Sequence, residues 1–138
     1  MGRNRELAMP TTTIPEEKMN LYRETARRRA DHKKAELDER FRRAWQTAQS
    51  AAQMLAVSFS ARKVVVFGSL VNRNLFHTRS DIDLAAWGIP ENVYLSALGA
   101  LLDLDPEFSF DLVRMEEAYE EETRKALVNT IEQEGIEL

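Results

Sequence analysis

The chain has 138 residues, of which 43% are hydrophobic and 30% charged, and it contains no cysteine. This length allows one domain with a modest core, and the missing thiols exclude disulfides, thiolate metal sites and a cysteine nucleophile. No apolar run reaches the roughly 20 residues that a membrane-spanning helix needs, and the first residues lack the apolar core of a signal peptide. We therefore expect a cytoplasmic protein.

The net charge of −4 conceals an asymmetry between the two parts of the chain. Residues 1–60 carry 12 Lys and Arg against 8 Asp and Glu, whereas residues 61–138 carry 7 against 15. A basic segment beside an acidic one is compatible with a nucleic-acid or partner surface next to a metal site. It is equally compatible with a solvated charged helix followed by an acidic surface.

The first 60 residues predict a flexible tail and one long helix. Residues 1–15, with two prolines and a run of threonines, are typical of a tail. Residues 16–60 contain neither Gly nor Pro and consist mostly of helix-forming residues. The second half of this helix carries an apolar stripe that should pack on the rest of the domain. The first half has so few apolar residues that it should either project into solvent or be covered by another chain. The stripe consists of Leu37, Phe41, Ala44, Trp45, Ala48, Ala52, Leu55 and Phe59.

Residues 61–138 alternate between strand and helix patterns. Strands are predicted over residues 64–67, 81–87 and 108–113, and helices over residues 91–104 and 116–134, with Gly135 ending the last helix. We therefore expect an α/β (α+β) domain with a mixed sheet of about three to four strands flanked by helices.

Two short segments carry groups suited to phosphate chemistry. Gly68 and Ser69 follow the first predicted strand, where a residue without a Cβ lets the backbone approach a ligand closely. In the second strand, Asp81 and Asp83 point to the same side, because side chains alternate along a strand. Like charges this close are unfavourable unless a cation lies between them, and hard oxygen ligands suit Mg²⁺.

Asp111 is the third carboxylate of interest. It lies between two apolar residues of the third predicted strand. If this strand neighbours the strand of Asp81 and Asp83, three carboxylates meet beside Gly68 and Ser69, as two-metal phosphoryl transfer requires. Among the loop residues, Arg73 and Arg79 are candidates for phosphate contacts, with plain surface charge as the alternative.

The segments Val66-Phe67-Gly68-Ser69 and Arg79-Ser80-Asp81-Ile82-Asp83-Leu84 resemble the signature of the DNA polymerase β-like nucleotidyltransferases. Within that superfamily the chain is most similar to the minimal nucleotidyltransferase group, and residues 110–113, Phe-Asp-Leu-Val, lie where those proteins place their third carboxylate. The resemblance covers residues 61–138 and implies a minimal nucleotidyltransferase domain there.

The resemblance also implies a reaction and a set of roles. Two Mg²⁺ ions would be held by Asp81, Asp83 and Asp111, which are the implied catalytic residues. A nucleoside triphosphate, ATP in the first instance, would be bound by Gly68 and Ser69, to which we add Ser80 and Arg73. Many members of the family have a glycine four residues after the serine that corresponds to Ser69. Residues 70–74 of this chain contain no glycine.

Members of the minimal nucleotidyltransferase group often act as antitoxins that transfer AMP to a tyrosine of a HEPN-type toxin. We therefore expect a nucleotidyltransferase acting on a hydroxyl of a protein partner. The alternative is a non-catalytic antitoxin or interaction protein that uses the long helix to hold its partner or a second copy of itself. Nucleic-acid modification is a weaker third hypothesis, because acidic residues interrupt the basic stretch of the helix.

Overall fold

The computed structural model describes residues 14–138. All but the last two residues of the predicted tail fall outside this range. Helix α1 spans Glu16–Phe59, as predicted, and the chain divides within it, after Glu36. The described part of the first unit, residues 14–36, is largely exposed and is helical from Glu16 onward, and we call residues 16–36 the arm. The second unit is Leu37–Leu138.

The second half of α1 packs through the predicted apolar stripe. Of the stripe, Ala44, Ala48, Ala52 and Leu55 are buried, and the larger residues lie against the same core. Ala51, which the prediction did not include, is buried as well. Alanines at steps of three and four allow the helix backbone to approach the sheet closely. The structure thus confirms that this part of the helix belongs to the core.

The second unit contains a four-stranded mixed sheet, which confirms the predicted fold class. Its strands are β1 (Lys63–Phe67), β2 (Ile82–Trp87), β3 (Phe110–Arg114) and β4 (Ile136–Glu137), in the order β3-β2-β1-β4. Strand β1 is antiparallel to β2 and β4, while β2 and β3 are parallel. The connection between the parallel strands contains helix α2 (Tyr94–Leu104), preceded by a 3₁₀ turn at Glu91–Val93. None of the helices within residues 14–138 combines the length and apolar character needed to cross a bilayer.

The two faces of the sheet are covered by different helices. One face, with Val64, Val66, Leu84 and Leu112, packs with α1 and α2. The opposite face is covered by the short helices α3 (Met115–Ala118) and α4 (Lys125–Glu134). The apolar residues of this second core are Val65, Phe67, Ala85, Val113, Met115, Ala118 and Ile131.

The prediction of one continuous helix over residues 116–134 is wrong. A break at residues 119–121 and a 3₁₀ turn at Glu122–Arg124 separate α3 from α4. At about 100° per residue, an unbroken helix would turn Met115 and Ala118 away from the side occupied by Leu127 and Ile131. The break lets both groups reach the same sheet face. As predicted, α4 ends at Gly135, where a Cβ would lie 2.2 Å from a methyl carbon of Val65.

Candidate active site

Gly68 follows the last residue of β1 and begins a 3₁₀ turn, Gly68–Leu70. Its φ of +76° belongs to the left-handed region, which favours glycine. A Cβ built on Gly68 would lie 2.2 Å from Oδ2 of Asp83. The carboxylate of Asp83 therefore takes the space that any other residue at position 68 would need.

The sheet brings together the elements that carry the three aspartates. Asp83 of β2 lies opposite Asp111 of the parallel strand β3, and also opposite Phe67 of β1. Paired residues of neighbouring strands project to the same face, so Asp83 and Asp111 share the face covered by α3 and α4. Asp81 precedes β2 by one residue. Asp83 is half-buried, whereas Asp81 and Asp111 are exposed.

The electrostatics of this cluster are unfavourable for a second or third negative charge. Burial raises the pKa of Asp83 to about 6, and the negative charges of Asp111 and Asp81 contribute to the increase. Among the ion pairs of residues 14–138, none involves Asp81, Asp83 or Asp111. A divalent cation would supply the missing positive charge.

The donor set fits Mg²⁺ by chemistry and by backbone register. Carboxylate oxygens are the ligands this ion prefers, and two of the three carboxylates stand on paired positions of adjacent strands. Across the described part of the chain, no three acidic or histidine side chains already form a group that could hold a metal. Asp81 and Asp111 are exposed, so their side chains can adopt other rotamers, and an ion held by all three carboxylates would require such a rearrangement.

Ser80 is buried next to the carboxylate cluster's strand β2. It is 7% exposed, and its Oγ accepts the backbone N–H of His77 at 2.8 Å. The backbone N–H of Ser80 donates to the carbonyl of His77 at 3.0 Å, which closes the turn that leads into Asp81. Ser80 thus shapes this turn in the structure, and its assignment to nucleotide binding stays a prediction. Ser69, by contrast, is half-buried beside Gly68.

Arg73 is engaged with α1. Its guanidinium pairs with the carboxylate of Asp38 and lies over the ring of Phe41, at 5.0 Å from the ring centroid. The structure therefore places Arg73 in a packing contact, and a phosphate contact would require it to leave its partners. Arg79 is exposed, and its backbone N–H donates to Nδ1 of His77.

The segment after Ser69 is ordered without a glycine. Residues 73–75 form a second 3₁₀ turn, and the side chain of Asn72 accepts the N–H of Asn74 at its start. Over residues 14–138, the only non-glycine residue with positive φ is Ser60. No position between residues 70 and 80 therefore needs glycine for its backbone conformation.

Tyr94 is a residue of this region that sequence analysis did not single out. Its hydroxyl donates to the carbonyl of Leu112 at 2.6 Å, next to Asp111. Burial raises the pKa of the Tyr94 hydroxyl, and so do the charges of Asp111 and Glu117. In the sequence Tyr94 is one apolar residue among several on α2, so nothing local indicated this contact.

Comparison with known proteins rests on the fold. No family model matches the chain, and no curated protein matches it. A solved structure of the toxin–antitoxin complex MntA-HpeT is similar, with a TM-score of 0.50 and 16% identity over 65% of this chain and 70% of that chain. The structure of that complex contains a mutant protein in which two aspartates, separated by one residue, are replaced by glutamate. The chain therefore shares its fold with a protein of that toxin–antitoxin complex.

Proposed function

We propose that the protein is a nucleotidyltransferase that transfers a nucleoside monophosphate, AMP from ATP in the first instance, to a hydroxyl group. The observation that carries this proposal is the pairing of Asp83 with Asp111 on adjacent parallel strands, with Asp81 before them and Gly68 against the Asp83 carboxylate. Three carboxylates beside a turn that begins with a glycine are suited to binding metal ions and phosphate at one place.

Each residue has a defined task in this proposal. Asp81, Asp83 and Asp111 would hold Mg²⁺, which when bound neutralises charge on the phosphate oxygens. Gly68 leaves room for the Asp83 carboxylate, and Ser69 offers its backbone and hydroxyl to the phosphates. Asp111 is exposed beside this cluster, where it can accept the proton of the acceptor hydroxyl.

The acceptor in this proposal is a hydroxyl of a partner protein, specifically a tyrosine of a HEPN-type toxin. The similar solved structure is a toxin–antitoxin complex, which supports an antitoxin role for this chain. Its mutated aspartates have the spacing of Asp81 and Asp83, which supports a functional role for that pair.

A label-transfer experiment tests the proposal. The purified protein is incubated with α-labelled ATP and Mg²⁺, with and without the product of the neighbouring gene. We expect label on that product with the wild-type chain and none with the Asp81→Asn/Asp83→Asn double variant. Exposed Asp103, which lies outside the carboxylate cluster, provides the matched control, because Asp103→Asn should transfer as the wild type does. Absence of transfer by the wild type in the presence of its bound partner would overturn the proposal.

A second candidate function is a non-catalytic antitoxin that binds its partner through the arm. The observation favouring it is the exposure of Leu21 and Tyr22, which are 56% and 54% exposed on a helix otherwise rich in charge. Exposed apolar side chains in a charged setting are suited to a protein interface. A stable complex that neutralises the toxin equally well with and without the three aspartates would favour this function.

A further inference from the structure

The segment from Gly68 to Ser80, which we call the site loop, joins the turn beside Asp83 to the turn before Asp81. It has no strand of its own and consists of two 3₁₀ turns and their connections. Loops of this kind need contacts from elsewhere to keep one conformation. In this protein several of those contacts come from one face of α1.

The first contact is a hydrogen bond to the turn of Gly68 itself. The indole Nε1–H of Trp45 donates to the carbonyl of Leu70 at 3.1 Å. Leu70 is the last residue of the 3₁₀ turn and is 2% exposed. A buried carbonyl that loses its donor is costly, so the turn would have to move to find another partner.

The second and third contacts hold the middle of the loop. The rings of Phe41 and Phe76 meet edge to face, with centroids 5.1 Å apart and an interplanar angle of 82°. Arg73 pairs with Asp38 and lies over the ring of Phe41. Aromatic pairs of this geometry contribute beyond the area they bury, and Phe76 is itself almost fully buried.

The three α1 residues act together because of their spacing. Asp38, Phe41 and Trp45 stand at i, i+3 and i+7, which places them on one face of a helix. We propose that this face, the α1 clamp, holds the site loop in the conformation that receives the nucleotide, with Trp45 as its main positioning residue. The inference rests on the proposed nucleotide site and adds to it residues that make no contact with the reacting groups.

The two tryptophans of the chain provide a matched pair of variants. Trp45 donates to Leu70, whereas Trp87 donates to the hydroxyl of Tyr119 at the same distance, 3.1 Å, at the far end of β2. Replacing either one by Phe keeps an aromatic ring and removes one N–H donor. A purely structural role predicts that either change alters stability without altering nucleotide affinity in the folded protein, whereas the clamp predicts a loss of affinity from Trp45→Phe alone.

The experiment measures the dissociation constant of Mg-ATP by calorimetry, the thermal midpoint, and amide exchange over residues 68–76. Trp45→Phe should weaken Mg-ATP binding about five- to tenfold and raise exchange in the site loop. It should also lower the thermal midpoint more than Trp87→Phe does, because only Trp45 leaves a buried carbonyl without its donor. Trp87→Phe should bind as the wild type does. Asp38→Asn, at an exposed position, should change binding in the same direction by a smaller factor.

A spectroscopic measurement gives an independent result. In the Trp87→Phe protein, Trp45 is the only tryptophan, so the emission reports its surroundings alone. Because the clamp holds the loop in the receiving conformation before the nucleotide arrives, the emission maximum should stay the same when Mg-ATP binds. A large shift of the maximum on binding, or unchanged loop exchange in Trp45→Phe, would overturn the inference. If the wild type itself binds no Mg-ATP, the proposed function fails, and loop exchange alone then decides whether Trp45 holds the loop.

Discussion

Gly68 is constrained both by its backbone conformation and by the side chain next to it. Replacing it with Ala costs about 1–2 kcal/mol for the left-handed conformation alone, and the added Cβ would displace the Asp83 carboxylate. We expect Gly68→Ala to lower stability by at least this amount in urea unfolding, and to abolish label transfer even under conditions where the variant is fully folded.

Gly99 is the control for this substitution. It lies in α2 with open space around its missing side chain. Gly99→Ala should therefore stabilise the protein by about 0.5–1 kcal/mol, as expected for a helix interior. If Gly68→Ala were as stable and active as Gly99→Ala, the close contact between Gly68 and Asp83 would not exist in solution.

Asp83 should make the metal-free protein sensitive to pH. Its folded-state pKa of about 6 lies above its ordinary value of 3.8, so the folded protein binds an extra proton between about pH 4 and pH 6. Stability therefore falls as the pH rises through this window. Keeping the charge at pH 7.5 costs about 1 kcal/mol after allowance for solvent screening of a half-exposed group.

The variant Asp83→Asn removes this charge while keeping the shape of the side chain. In EDTA at pH 7.5 we expect it to be about 1 kcal/mol more stable than the wild type, with the difference vanishing near pH 4. Urea unfolding at both pH values measures the effect, and Asp103→Asn should show no comparable pH-dependent gain. Addition of Mg²⁺ should stabilise the wild type and not Asp83→Asn. A variant less stable than the wild type at pH 7.5 would contradict the proposed repulsion.

At the level of the elements, regular local patterns were sufficient to predict α1 and the central strands from the sequence. The stripe on α1 and the alternation around Ile82 and Leu84 each point one set of side chains to the core, whatever the rest of the chain does. The same alternation placed Asp83 away from that core, as its pairing with Phe67 and Asp111 shows, whereas Asp81 lies one residue before the strand. The break between α3 and α4 could not be predicted in this way, because it depends on which sheet face both segments must cover.

The candidate site shows the same division between local and distant information. The sheet face to which Asp83 projects follows from the alternation within its own strand. Its position opposite Asp111, however, depends on the register of two strands that are far apart in sequence. The contacts of Arg73 with Asp38 and of Trp45 with Leu70 join the loop to a helix more than 20 residues away. No local pattern encodes such pairs, so the sequence left only a phosphate contact and plain surface charge as alternatives for Arg73.

At the level of the whole molecule, the charge is divided unevenly between residues 1–36, which include the arm, and the rest of the chain. Residues 1–36 carry 9 Lys and Arg against 6 Asp and Glu, so the remaining residues are more acidic than the full chain. Every fully buried residue described lies beyond residue 36, and the first of them is Ala44. The arm therefore adds charge and exposed apolar side chains to the molecule without adding to its core.

Removal of residues 1–36 should consequently leave the second unit folded. Since none of the residues 14–36 is buried, we expect the free energy of unfolding to change by less than about 0.5 kcal/mol, measured by urea unfolding followed by circular dichroism.

The affinity of the truncated chain for the partner should fall about tenfold or more if Leu21 and Tyr22 contact it. Full-length Leu21→Ser/Tyr22→Ser should reproduce that loss, whereas Val57→Ser, at a position 78% exposed on the same helix, should not. A truncated chain that unfolds would mean that the arm stabilises the domain through contacts formed in solution, and unchanged affinity in both arm variants would exclude the arm as the partner surface.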